Sequence, residues 1–155
     1  DSQIVAKTTL TSAGNYTING IIPAGNYYLA VYRDNDGNGS YTYLGNVDPI
    51  AEYSSSPVSI TSSGLTNANM TITPRIISGK VSGAPSGWKI KASISVDQPT
   101  TNIGADGTYS ITVYKAGTYT VMAYDPNSSA SVTYSTGVNL TGSNTTATNI
   151  DMSVN

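Results

Sequence analysis

The sequence predicts an all-β protein made of two tandem immunoglobulin-like antiparallel β-sandwich domains, and three observations support this prediction. Tyr is abundant, with 12 among 155 residues, and it suits the pleated, half-exposed surface of a strand. Apolar and polar residues alternate in short runs between Gly, Pro and Asn turns, as in half-buried strands. Four sequence blocks also occur twice in the same order, which indicates two homologous domains.

The repeated blocks set the predicted domain boundaries. The matched blocks are 14–18 with 107–111, 24–32 with 116–124, 58–61 with 138–141, and 68–72 with 148–152. Pro74 follows the last block of the first copy, and proline fixes φ and interrupts a strand ladder. We therefore predict one domain over residues 1–73 and a second over residues 75–155.

Alternation within the second copy predicts its core. From Trp88 to Val96 the apolar residues alternate with Lys and Ser, so the apolar side chains face one way. Trp88 could instead be a platform that stacks on sugar rings, but this alternation favours a core position. The predicted core of the second domain consists of Trp88, Ile90, Tyr119, Val121, Val138 and Ile150.

The second copy also carries a family resemblance. The segments 77–81, 106–111 and 116–121 place glycines before Tyr-rich strands. This pattern resembles the carboxypeptidase-regulatory-like domains, which are similar to transthyretin-like and collagen-adhesin B-type repeats of prokaryotic surface proteins. The resemblance implies a transthyretin-like sandwich of seven strands that serves as a spacer, a stalk or an adhesive module.

Composition argues against several classes of function. The chain has no His, no Cys and a single Glu, Glu52, so the common general base, zinc ligand and thiol nucleophile are absent and we predict no enzymatic activity. The net charge of −2 includes no basic stripe for nucleic acid, and no apolar run approaches the roughly 20 residues of a membrane span. We expect a secreted cell-surface protein; its start at Asp1 suggests a processed product or a cut sequence.

An acidic insertion predicts a calcium site. The offset between the copies falls from 92 at Gly25 and Gly117 to 80 at Val58 and Val138, so the first copy is longer by 12 residues. Within the insertion, oxygen-bearing residues fill positions one, three and five of an EF-hand-type loop, and Gly follows at six. The predicted ligands are Asp34, Asp36 and Asn38, the Ser40 carbonyl, and Asp48 or Glu52. The alternative is a polar hairpin loop without a metal.

The first copy has too few residues for a full sandwich. Thirteen residues precede Gly14, enough for one strand over 3–10, whereas 32 residues lie between Pro74 and Gly107. We therefore expect the first domain to lack about two strands and to be completed by a strand from a neighbouring subunit, as in donor-strand assembly of pili. Such a head-to-tail contact makes filaments. The donor would be 3–10 or 148–154, with the former favoured, and the alternative is a cut that removed the strands.

Polar surface features leave two functions open. Six Asn-X-Ser/Thr sequons are candidates for glycosylation, at Asn15, Asn38, Asn69, Asn127, Asn139 and Asn144. One hypothesis is a self-associating subunit of an extracellular filament, stalk or surface layer. The other is a secreted carbohydrate-binding or adhesion module that binds glycans, with Tyr41, Tyr43 or Tyr53 stacking on sugar rings.

Overall fold

All regular secondary structure in the described residues is β-strand, so the all-β prediction is confirmed. The computed structural model describes residues 4–21, 25–42, 48–95 and 98–154. Four short strands belong to the first copy: β1 (Gly25–Tyr27), β2 (Ala30–Tyr32), β3 (Ile50–Glu52) and β4 (Val58–Ile60). The strands of the second copy are β5 (Arg75–Ser82), β6 (Lys89–Ser93), β7 (Thr100–Asn102), β8 (Thr108–Val113), β9 (Gly117–Tyr124), β10 (Ser131–Thr133), β11 (Val138–Leu140), β12 (Thr146–Ala147) and β13 (Met152–Ser153).

Backbone contacts divide the chain into two compact units. One unit comprises Asp1–Leu29 and Tyr53–Asn69, and the other comprises Ala30–Glu52 and Met70–Asn155. This division follows contacts and does not coincide with the sequence repeat. The two domains inferred from the repeat therefore stay a prediction.

The second copy contains two sheets that share one hydrophobic core, which is the arrangement of a β-sandwich. In one sheet β9 lies between β10 and β6, β7 follows β6, and β11 also pairs with β9. In the other sheet β5 pairs with β8, β12 and β13. Buried side chains from both sheets form a single cluster.

Strict alternation of side chains builds this core. Because successive residues of a strand point to opposite faces, every second residue of β8 is buried: Tyr109, Ile111 and Val113. The opposite sheet contributes Ile90 and Val121, both fully buried. The predicted core is confirmed, since all six of its members are buried: Trp88, Ile90, Tyr119, Val121, Val138 and Ile150.

One part of the sandwich is parallel, although the sequence predicted antiparallel strands. β12 and β13 both run parallel to β5, whereas β8 pairs with β5 in the antiparallel sense. The C-terminal segment passes close to Gly79, where an added Cβ would lie 2.6 Å from the carbonyl carbon of Ile150. A glycine is needed here because any side chain would push the segment away from β5.

Two strand pairs show that the copies share one backbone register. The pairs at matching positions are Gly25 with Ile60 and Tyr27 with Val58 in the first copy, and Gly117 with Leu140 and Tyr119 with Val138 in the second. The β1–β4 ladder of the first copy thus corresponds, residue by residue, to the β9–β11 ladder of the second. This agreement supports the alignment of the second and third sequence blocks.

The β2–β3 hairpin corresponds in the same way to the β9–β10 hairpin. The matching pairs are Ala30 with Glu52 and Tyr32 with Ile50 in the first copy, and Met122 with Thr133 and Tyr124 with Ser131 in the second. Residues 33–49 connect the first hairpin and residues 125–130 connect the second. The loops have 17 and 6 residues, so 11 of the 12 inserted residues lie between β2 and β3.

The fourth sequence block is corrected by two residues. Its sequence match aligned Ala68 with Thr148, but the structure makes Ala68 equivalent to Ile150. The carbonyl of Ala68 accepts a hydrogen bond from the Tyr16 hydroxyl at 2.6 Å, and that of Ile150 accepts one from the Tyr109 hydroxyl at 2.7 Å. The residue before each, Asn67 and Asn149, has a φ of 58°. Asn tolerates this left-handed conformation. The same turn therefore precedes Ala68 and Ile150, although the loop before the turn differs in length between the copies.

Candidate functional site

The loop between β2 and β3, residues 33–49, brings three carboxylates together, and we call it the acidic loop. Residues 33–42 and 48–49 of the loop are described. Asp34, Asp36 and Asp48 each place one carboxylate oxygen within 4.8 Å of the other two. The hairpin achieves this because Asp34 and Asp36 follow β2 directly, whereas Asp48 comes just before β3.

Backbone N–H groups hold Asp34 in place. Its carboxylate accepts hydrogen bonds from the backbone nitrogens of Gly37 at 2.7 Å, Gly39 at 2.8 Å and Asn38 at 3.2 Å. These bonds, with that of Gly39 largest, lower the pKa of Asp34 below its usual value. The carboxylate therefore remains charged to a lower pH than a free aspartate does.

Asp48 is the buried member of the cluster, with no exposed surface. Its two carboxylate oxygens accept hydrogen bonds at 2.7 Å from the backbone nitrogens of Asn35 and Thr42. Among the described residues these backbone N–H groups are its hydrogen-bond donors, and no Lys or Arg forms an ion pair with it. A buried carboxylate beside two further carboxylates is costly without a cation, so the arrangement favours a positively charged ligand.

The other predicted ligands lie less favourably for binding a metal. The side-chain amide nitrogen of Asn38 donates to Asp36 at 2.8 Å, and its amide oxygen accepts from the Ser40 nitrogen at 2.7 Å, so that oxygen is already bonded. Glu52 lies on β3 opposite Ala30 and is not part of the carboxylate cluster. Of the two carboxylates proposed to complete the site, the structure brings in Asp48.

Sequence reasoning missed Thr42. Its hydroxyl donates to Asp36 at 2.9 Å and accepts from the Asn38 side chain at 2.6 Å, while its backbone nitrogen bonds Asp48. Thr42 thus connects the two ends of the acidic loop. The sequence holds no signal for this role, because an isolated Thr in a polar loop has no distinctive spacing.

The donor set fits a hard cation. Calcium binds oxygen ligands at 2.3–2.6 Å, so two of its ligands lie at most about 5 Å apart. The three carboxylate oxygens meet this limit at 4.8 Å. Carboxylates without thiolate or imidazole select calcium or magnesium over softer metals. Asp34, Asp36 and Asp48 could therefore hold a calcium ion.

A second feature of interest is the outer edge of β2, the edge away from β3. Leu29, just before the strand, accepts a hydrogen bond from the Tyr53 nitrogen at 2.8 Å, and Arg33, just after it, donates to Pro49 at 2.9 Å. Because backbone groups alternate sides along a strand, those of Ala30 and Tyr32 point to the outer edge. Within the described parts of the chain, β2 pairs with β3 alone.

The second copy shows what occupies this edge when a sandwich is complete. There, β9 has β10 on one side and β6 on the other, with both strands opposite Tyr124. Residues 4–21, which precede β1, contain no strand, so the described first copy has no counterpart of β5 or β6. An uncovered edge of this kind offers a row of N–H and C=O groups to another strand.

Apolar side chains are less buried in the first copy than at matching positions of the second, as expected when counterparts of β5 and β6 are not among its described strands. Val121 and Ala123 of the second copy have no exposed surface. Their counterparts in the first copy, Leu29 and Val31, are only half-buried. These two apolar positions therefore have room for further burial against an added strand.

The segment of residues 4–10 carries exposed apolar side chains. Ile4 is 69% exposed, Val5 60% and Leu10 43%, although Ile, Val and Leu are among the residue types most often buried. The segment forms no strand in the structure. Ile4, Val5 and Leu10 therefore present apolar surface that the described residues leave exposed.

The tyrosines proposed to bind sugars have different surroundings in the structure. The ring of Tyr41 packs against that of Tyr32, with centroids 5.6 Å apart and planes tilted by 55°. Tyr53 is half-buried, and Tyr43 lies outside the described residues. Among the described residues of this set, the structure thus gives one aromatic contact, that of Tyr41 with Tyr32.

All six sequons lie on the surface. The exposed asparagines are Asn15, Asn38, Asn69, Asn127, Asn139 and Asn144. Two of them have engaged side chains: Asn38 bonds Asp36 and Thr42, and Asn144 donates to the carbonyl of Asn139 at 2.6 Å. Exposure is required for glycosylation, so each position meets that condition.

Comparison with known proteins found no matching family model, no similar curated protein and no similar solved structure. The described residues include no helix with the length and apolar character needed to cross a membrane. The function proposed for the chain therefore rests on its own residues and geometry.

Proposed function

We propose that this protein is a structural subunit of an extracellular filament, stalk or cell-surface layer, and that its copies associate by β-strand addition. The observation that carries this proposal is the difference between the two copies. Both share the same strand register, yet the first copy shows no counterpart of β5 or β6 among the described residues. Consequently no strand of the described residues lies on the outer edge of its β2.

Strand addition is the physical remedy for such an edge. A donated strand satisfies backbone donors and acceptors and covers apolar side chains, which stabilises the contact by about 25 cal/mol per Å² of apolar area buried. If each copy both donates and accepts, the contact is head-to-tail and does not close, so it produces linear assemblies. The six exposed sequons suit a secreted surface, where asparagine residues carry glycans.

Concentration-dependent assembly tests this proposal. We expect sedimentation velocity to show a rising series of oligomers as the intact protein is concentrated, and electron microscopy to show linear particles. A well-folded monomer at every concentration contradicts self-assembly. If that monomer binds immobilised glycans, the protein is instead the carbohydrate-binding or adhesion module considered from its sequence.

The acidic loop has a separate role in this proposal, as a calcium site that stiffens the β2–β3 hairpin. The supporting observation is the cluster of Asp34, Asp36 and the buried Asp48. A cation bound there connects residues just after β2 to a residue just before β3. It would thereby hold the hairpin whose first strand carries the outer edge.

Calcium removal should lower the melting temperature. A ligand that binds only the native state stabilises it by about 2.7 kcal/mol at a concentration 100 times its Kd. We expect differential scanning fluorimetry to show a higher Tm in calcium than in chelator. Asp36→Asn should abolish this difference, whereas Asp106→Asn, which alters an exposed turn of the second copy, should preserve it. The same Tm with and without calcium in the unmodified protein contradicts the site.

A further inference from the structure

The second copy defines what a strand on the outer edge of β2 must look like. β6 lies antiparallel to β9 and places Ile90 opposite Ala123 and Ala92 opposite Val121. Ile90 and Ala92 are fully buried, whereas Lys91 between them is half-buried. The edge therefore takes a strand with an apolar residue, an outward residue and a small apolar residue in succession.

Because the two copies share one strand register, the requirements found at β9 can be applied to β2 of the first copy. Because Val31 corresponds to Ala123 and Leu29 to Val121, an added strand must place apolar residues opposite Val31 and Leu29. An outward residue must lie opposite Ala30, whose side chain is exposed. These requirements fix both the direction and the register of the missing strand.

One segment of the chain meets these requirements. Ile4-Val5-Ala6-Lys7 aligns with Ile90-Lys91-Ala92-Ser93, with the same apolar residue, Ile and then Ala, at both inward positions. Ile4 and Val5 are exposed in the structure and belong to no strand. The other candidate donor, residues 148–154, already pairs with β5 through β13.

We infer that Ile4–Lys7 of one copy pairs antiparallel with the outer edge of β2 in a second copy, with Ile4 opposite Val31 and Val5 opposite Ala30. This inference rests on the proposed function and specifies the residues through which two copies would associate. Val5 and Ala30 would form a hydrogen-bonded pair, because the backbone groups of Ala30 point to the outer edge. Their Cα atoms would then be about 5.5 Å apart, within the range that a disulfide spans.

Cysteine cross-linking between two single variants tests the pairing, since the natural chain has no cysteine. Val5→Cys protein is mixed with Ala30→Cys protein under mild oxidation, and mixed disulfides are identified by mass spectrometry. The matched control replaces Ala30→Cys with Glu52→Cys, on the strand at the opposite edge of β2. Circular dichroism verifies that each variant keeps the β-structure of the natural protein.

The expected result is a mixed disulfide between Val5→Cys and Ala30→Cys and none in the control mixture. Equal cross-linking in both mixtures overturns the register. A double variant carrying both Val5→Cys and Ala30→Cys is oxidised as well. If it forms a disulfide within one chain while the mixed single variants form none, the pairing between copies is overturned. If linear particles form but no specific disulfide does, the named contact is wrong while the proposed function stands. If particles are also absent, both fail.

Discussion

Trp88→Ala is expected to destabilise the second-copy sandwich by about 3–5 kcal/mol, the usual cost of removing a large buried ring and leaving a cavity. Trp88 is only 7% exposed and packs in the cluster formed by both sheets. Because most domains are stable by only about 5–15 kcal/mol, this loss is a large share of the total. Urea denaturation followed by circular dichroism measures the change in the free energy of unfolding.

Ile76→Ala is the control for this prediction. Ile76 lies on β5 of the same sandwich but faces outward and is 40% exposed. Its truncation should cost well under half as much, since it creates no closed cavity. Equal effects of the two substitutions, or a native fluorescence spectrum of the sole Trp as red-shifted as in the unfolded chain, would show that Trp88 is not a core residue.

Ile4→Asp combined with Ala6→Asp should abolish assembly, the second large effect that we expect. Burying an isoleucine side chain contributes about 1.5–3 kcal/mol, which corresponds to roughly ten- to hundredfold in association. Each new carboxylate would also have to enter an apolar contact beside Leu29 or Val31, which costs further free energy. Sedimentation velocity of the variant should show monomers at concentrations where the natural protein forms oligomers.

The matched control changes the same number of residues on the other face of the segment. In the proposed pairing Val5 and Lys7 point outward, so Val5→Asp combined with Lys7→Asp should leave assembly largely intact. Thermal unfolding of both variants is measured alongside assembly, because Ala6 is half-buried in the structure and a loss of folding must be distinguished from a loss of docking. If both pairs of substitutions weaken assembly equally, the segment does not dock through one face.

The strands of the second copy could be predicted from the sequence because their pattern is strong. Trp88, Ile90 and Ala92 alternate with polar residues, and this two-residue period admits one solution, with the apolar face inward. The repeat then carried the prediction to β9 and β11. The parallel pairing of β12 and β13 with β5 could not be predicted, because alternation determines which face is buried and not which strand lies alongside.

The fourth repeated block shows where pattern matching fails. The segments around Ala68 and Ile150 differ in sequence, so an alignment by residue similarity paired Ala68 with Thr148. The structural equivalence comes from a left-handed Asn and a tyrosine hydroxyl distant in the chain. Neither a backbone conformation nor a long-range hydrogen bond leaves a periodic trace in the sequence.

The acidic loop was only partly predictable for a related reason. The spacing of Asp34 and Asp36 before glycines is local, so the sequence reveals it directly. Asp48 joins them only because β2 and β3 pair and return the chain to the same end of the hairpin. Sequence reasoning therefore left Asp48 and Glu52 as alternatives, which the register of the hairpin separates.

Amide hydrogen exchange at the outer edge of β2 tests the central claim most directly. Peptides covering residues 28–32 contain the amides of Ala30 and Tyr32, which point to this edge. Exchange over minutes to hours reports on whether such amides are hydrogen-bonded. We predict slow exchange in the assembled protein and fast exchange in dilute monomers. Equally fast exchange in both states would contradict strand addition at this edge.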